Sequence, residues 1–164
     1  MAYNKTMNNN LTLAEKDKLK KSISLITVLI AGADGNIEKE ELTWAKKIAG
    51  VREYGPPTKL HSFYQDVGVD YEENVNALID TLPADVAERT KVISDRLAEL
   101  NPILAKLDND IASAYYKSFI TFAEHVAKAT GGILGFFSVS SEEKSLITLP
   151  MIDVIEYDET AEED

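Results

Sequence analysis

The sequence contains no cysteine. That removes disulfides, thiolate metal sites and cysteine nucleophiles together. Histidine is nearly absent: two in 164 residues leave too few nitrogen ligands for most zinc sites, because zinc prefers nitrogen and sulfur. Neither His61 nor His125 stands in a His-Glu-x-x-His or Glu-x-x-His pattern, so the metalloprotease and di-iron-bundle arrangements are missing. Basic residues are in deficit, with 17 Lys and Arg against 28 Asp and Glu and a formal net charge of −11. Such a balance argues against nucleic-acid binding, which needs a basic face to displace counterions from phosphates. No hydrophobic run approaches the ~20 residues of a membrane-spanning helix. The longest, residues 23–33, includes Ser24 and Thr27 and reads as a buried core helix. Residues 1–10 are polar and Asn-rich, without the apolar stretch of a signal peptide. There is no Gly-x-Ser-x-Gly elbow and no phosphate-binding loop. These absences suit a cytoplasmic protein.

What the sequence does have is helical periodicity. Apolar residues recur at three- and four-residue steps, and no long run alternates with polar ones. A first helix starts at Thr12, with Glu15 completing a capping box, turns almost wholly apolar from Ile23 and stops at Gly35. A second spans 38–49, with Ile37, Leu42, Ala45, Ile48 and Ala49 inward, before a loop at 50–57 that ends in Pro56-Pro57. A short helix follows over 58–67 and ends at Gly68, and Asp70 with Glu73 caps another that reaches Thr81. Pro83 opens a helix to Leu100, and Asn101-Pro102 opens one long helix over 102–130 that Gly131-Gly132 terminates. Its apolar positions are Leu104, Leu107, Ile111, Tyr115, Phe119, Phe122, Val126 and Ala129. Ser140 and Glu143 cap a last helix that meets Pro150. The expected fold is all-α: a compact bundle of about seven helices built around two pseudo-repeated helix-turn-helix units. The expected limits are a flexible N-terminus over 1–10, one domain over 11–157 and an acidic disordered tail over 158–164.

The repeat rests on two places with the same layout, an apolar helix, a Gly-containing break, a β-branched residue and an acidic helix start. One reads Leu29 to Glu41 and the other Ala127 to Glu143. Aligned on Ile37 and Val139, the pairs Glu40/Glu142 and Glu41/Glu143 coincide. The most specific string, Asp34-Gly35-Asn36-Ile37-Glu38-Lys39-Glu40-Glu41, matches the second half of an EF-hand loop. The first half is missing: the earlier ligand positions fall on Ile30 and Gly32, which have no side-chain oxygen. Half a loop cannot supply the 6–8 oxygens that calcium takes. A structural reading accounts for the same residues, with Gly35 in a left-handed turn, Ile37 in the core and the acids at the positive end of a helix.

The string Ala33-Asp34-Gly35-x-Ile37-x-x-x-Glu41, the apolar helix before it and the Ser140-Ser141-Glu142-Glu143 start after Gly131-Gly132 resemble the TerB-like, tellurite-resistance family. The resemblance extends over residues 11–155. It implies an all-helical fold of two related halves without known catalytic chemistry and a bacterial stress-response role tied to membrane-associated assemblies. A location peripheral to the inner membrane and a protein partner follow from it, as does an acidic patch that takes a divalent cation, calcium or magnesium. By position, Asp34 and Glu41 match the first acidic motif and Glu143 the second. Glu38, in the same turn, joins them as a candidate metal ligand. The second copy departs from the pattern: Phe136 and Phe137 stand where an Asp-Gly is expected, which removes one oxygen ligand.

Two function classes therefore compete, a cation- or partner-binding domain with its acids at two helix starts and a structural interaction module in which those acids are only caps. A carboxylate-metal hydrolase ranks last, for want of an identifiable base, nucleophile or oxyanion donor. Trp44, the single tryptophan, reads as a half-buried core indole or as an interface anchor. Phe136 and Phe137 read as cover for the long helix or, second, as an exposed docking patch, Tyr115 as packing and Tyr116 as surface. The charge is unevenly spread. Residues 153–164 hold seven acids and no base, which leaves 21 acids against 17 bases in the rest.

Overall fold

A computed structural model describes residues 10–55, 58–132 and 145–157. Among them are six α-helices and no strand. They are α1 (Leu13–Ala31), α2 (Lys39–Val51), α3 (His61–Thr81, entered through a 3-10 turn, Thr58–Leu60), α4 (Val86–Ala98), α5 (Leu100–Leu104) and α6 (Asn109–Gly132). The fold class is all-helical, as the periodicity predicts.

Helix α1 organises the bundle. The Thr12 hydroxyl accepts from the Glu15 amide at 3.1 Å and the Glu15 carboxylate from the Thr12 amide at 3.0 Å, the reciprocal cap expected there. That carboxylate also meets Lys106 at 2.7 Å, and the ammonium holds it below the usual carboxylate range. From Ser22 onward every residue of α1 is buried, because the helix touches each of the other five. Ile23, Ile26, Leu29 and Ile30 form its centre, each contributing about 1.5–3 kcal/mol by leaving water. Aromatic rings fill the space between α3 and α6. Phe63 stands edge-on to Tyr115, with centroids 5.1 Å apart, and Phe119 lies behind them.

Several boundaries differ from the sequence expectation, each for a physical reason. Helix α1 ends at Gly32, and Gly35 (φ +94°) makes the left-handed turn beyond it. Helix α3 continues past Gly68, where the Glu53 carboxylate lies in the space a side chain would take. Two helical stretches meet at Asp70, where the sequence predicts a new start, although the Asp70 side chain makes no capping bond. A φ of −135° at Asp70 kinks α3, and its Oδ2 accepts from Lys20 of α1 at 3.0 Å. Pro83 lies ahead of α4 and not in its first turn, because Asp85 is the N-cap, accepting from the Glu88 amide at 3.0 Å. The helix expected over 102–130 is two, α5 and α6. Between them the chain turns, and the Asp108 carbonyl restarts the helix by accepting from the Ile111 and Ala112 amides.

Residues 145–147 are helical, and the start expected for that helix at Ser140, with Phe136 and Phe137 before it, lies outside the described residues. Beyond it Leu149 (φ +47°) and Ile152 are buried. Asn101 pins this segment through the Met151 carbonyl at 3.1 Å and the Asp153 amide at 2.8 Å. Its Tyr157 ring packs on Tyr116, 5.9 Å between centroids. That overturns the surface position expected for Tyr116, which is 6% exposed and whose phenol is pushed up by burial. No helix among the described residues is long and apolar enough to cross a membrane.

Candidate functional site

The acidic turn predicted as the site joins α1 to α2 and rests on α4. Arg89 of α4 donates from Nη2 to the Gly32 carbonyl at 2.8 Å and from Nη1 to the Ala84 carbonyl at 3.3 Å. A cation thus sits at the negative end of α1, where the helix dipole favours it. A methyl group at Gly32 would fall 2.8 Å from both Arg89 Nη2 and the Val28 carbonyl oxygen, so only glycine admits this approach. Inside the turn, Asp34 Oδ1 accepts from the Asn36 amide at 2.9 Å. Glu38 is the N-cap of α2, and its amide donates to Glu41 Oε2 at 3.1 Å. Ile37 packs against the core.

The four predicted ligands therefore fare differently. Glu41 is only 7% exposed, with its carboxylate turned onto the cap. Asp34 and Glu38 are exposed. Glu143 lies outside the described residues. Among the described residues no group of three or more His, Asp or Glu side chains is placed to hold a metal ion. Asp34 spends one oxygen on the Asn36 amide, and Glu41 spends one on the Glu38 amide.

Next to the turn, α2 presents an outer face. Trp44 is 44% exposed, Lys47 lies over its indole at 5.0 Å from the ring centre, and Val51 and Tyr54 are both strongly exposed. Residues 44, 47 and 51 follow the three- and four-residue spacing of one helix face. Exposed Glu40 precedes them by one turn. The half-buried core indole expected for Trp44 is not found: the ring is exposed and lies outside the hydrophobic core, because the inner face of α2 is filled by Ala45, Ile48 and Ala49.

His61 is half-buried and His125 exposed, and each meets a neighbouring group. His61 Nε2 meets the Gly55 carbonyl, which closes the turn after α2. His125 Nδ1 faces Arg52 Nη2 at 3.4 Å. Arg52, just past α2, is a buried cation that sequence reasoning passed over. Its guanidinium donates to the Tyr64 hydroxyl at 3.1 Å, the Ser118 carbonyl at 2.9 Å, Ser118 Oγ at 2.8 Å and Thr121 Oγ1 at 3.1 Å. The Tyr64 and Phe122 rings flank it at 5.5 and 5.6 Å. Four contacts from Nη1 and Nη2 to hydroxyl and carbonyl oxygens, with aromatic faces on the sides, make arginine tolerable in a core. The only signal for it in the sequence was an arginine directly after an apolar helix. Comparison of the chain with protein-family models, curated proteins and solved structures returned no match.

Proposed function

We propose that the chain is a non-enzymatic, TerB-like interaction domain that binds a protein partner through the outer face of α2 and the acidic turn leading into it. The observation that carries this reading is the exposure of Trp44 and Val51 on α2 and of Tyr54 just beyond it. Tryptophan and tyrosine are the side chains most enriched at binding hot spots, and an apolar strip rimmed by charge is the usual anatomy of such a site. Exposed Asp34, Glu38 and Glu40 beside it favour a partner with a basic rim. The Ile37-to-Glu41 helix start belongs, in this reading, to the first of two pseudo-repeated helix-turn-helix units.

The test is capture from native cell extract with wild type, Trp44→Ala and Val154→Ala. Val154 is also an exposed apolar side chain but lies in the C-terminal segment. A partner lost with Trp44→Ala and kept with Val154→Ala supports the proposal. Capture that ignores Trp44→Ala overturns it.

A second reading, a divalent cation at the turn, draws on one observation. Asp34 and Glu38 are exposed acids with no ion pair among the described residues. A cation shared with Glu143 would relieve the repulsion between them. A rise in melting temperature with millimolar calcium or magnesium, lost in Asp34→Asn and in Glu143→Gln, supports this reading. Melting that is indifferent to metal rejects it.

A further inference from the structure

A pocket of about 300 Å³ opens where α1, α3 and α4 meet, away from both the acidic turn and the Trp44 face. Leu25 of α1 and Ala77 and Leu78 of α3 give it an apolar floor. Lys18 and Lys21 of α1 and Arg96 of α4 stand around it against a single acid, Glu99. In a chain with net charge −11 this is a local reversal of sign.

Two side chains here are incomplete. Ser24 lines the pocket and is 1% exposed, yet its Oγ has no hydrogen-bond partner among the described residues. The neighbouring buried hydroxyls of the same helix are satisfied: Ser22 donates to the Leu19 carbonyl, and Thr27 bonds the Ile23 carbonyl at 2.8 Å and the Tyr71 hydroxyl at 2.6 Å. An unmet buried hydroxyl costs about 1–3 kcal/mol, a cost a bound acceptor would remove. The second is Arg96. Lys18 is paired with Glu99 at 3.3 Å and Lys21 with Asp17 at 2.9 Å, whereas the Arg96 guanidinium has no ion pair or hydrogen bond among the described residues. A guanidinium at the rim of an apolar pocket is suited to a carboxylate or phosphate, which its planar fork can grip with two bonds.

We propose that this pocket binds a small single-headed anion with a short apolar body, a medium-chain carboxylate or alkyl phosphate. The head lies against Arg96 and Lys21 with one oxygen accepting from the Ser24 hydroxyl, and the body lies over Leu25, Ala77 and Leu78. The volume sets the size. It is about twice that of a cavity known to take up benzene, which suits roughly ten non-hydrogen atoms. It also lies at the small end of the range for ligand pockets, which are mostly apolar with a few placed polar groups. The site is independent of the partner face on α2.

The experiment is calorimetric titration of the full chain with octanoate and octyl phosphate, beside octylamine, octanol and acetate, with melting temperature as a second readout. Expected are saturable one-site binding and a raised melting temperature with octanoate, octyl phosphate or both. Acetate and octylamine should leave the protein unchanged, and octanol should bind at least tenfold more weakly. Arg96→Glu, an exposed substitution that spares the fold, should weaken the anion at least tenfold, and Ser24→Ala should weaken it severalfold. Saturation by either anion that Arg96→Glu abolishes supports the pocket. Octylamine binding as well as the anions, anion binding untouched by Arg96→Glu, or no saturable binding at all overturns it.

Discussion

The turn at Asp34 and the pocket at Ser24 belong to one helix and its exit, and they are opposites. The turn is rich in motif and closed on itself: Asp34 bonds the Asn36 amide, Glu41 the Glu38 amide, and Arg89 the Gly32 carbonyl. The pocket carries no motif, and its hydroxyl and its guanidinium are left without partners among the described residues. The difference teaches that a conspicuous string can be conspicuous because the backbone needs it. Unfinished hydrogen bonding is the better guide to where a ligand belongs.

Thermal and denaturant unfolding can break or sharpen this contrast. The largest expected effect is Arg89→Ala, which strips the end of α1 of its cation and should destabilise by about 2–3 kcal/mol, as for other charged hydrogen bonds. A smaller loss would mean that the turn holds without Arg89. Gly35→Ala forces an alanine to φ +94° and should cost about 1–2 kcal/mol. Ser24→Ala should move the other way, stabilising the free protein by up to about 1–2 kcal/mol, since it deletes a buried hydroxyl that has no partner. Destabilisation by Ser24→Ala would show that the hydroxyl is satisfied in solution and would erase the contrast. Asp34→Ala removes one neutral-donor bond in an exposed turn and should cost about 0.5–1 kcal/mol.

The smallest effect concerns pH. Lys106 depresses the Glu15 pKa in the folded state, so the stabilisation is present above the unfolded pKa and fades as pH falls through the folded one. Glu15→Gln should therefore be slightly less stable than wild type at pH 7 and indistinguishable from it well below the usual carboxylate range. Unfolding curves at the two pH values check the sign.

The helices and their caps were largely legible because local chemistry writes them. Thr12 with Glu15, Gly35 and the enclosed run after Ser22 are each decided within a few residues. The break between α5 and α6 was not, since apolar spacing continues across it and only the Asp108 carbonyl marks the restart. Tyr116 was misplaced because its cover, Tyr157, arrives from a distant segment. The acidic turn could be read as a turn, whereas the Ser24 pocket could not be read at all. A serine in an apolar helix and an arginine on another look ordinary until three helices bring them to one cavity.

Arg52 has a further consequence, for the way the molecule opens. Its bonds tie the end of α2 to Tyr64 of α3 and to Ser118 and Thr121 of α6. Lifting any one of these helices away abandons a desolvated charge, so none can fray alone far past its last turn. Amide hydrogens along α2, α3 and α6 should accordingly exchange through one shared opening. The single guanidinium makes three helices into one cooperative unit.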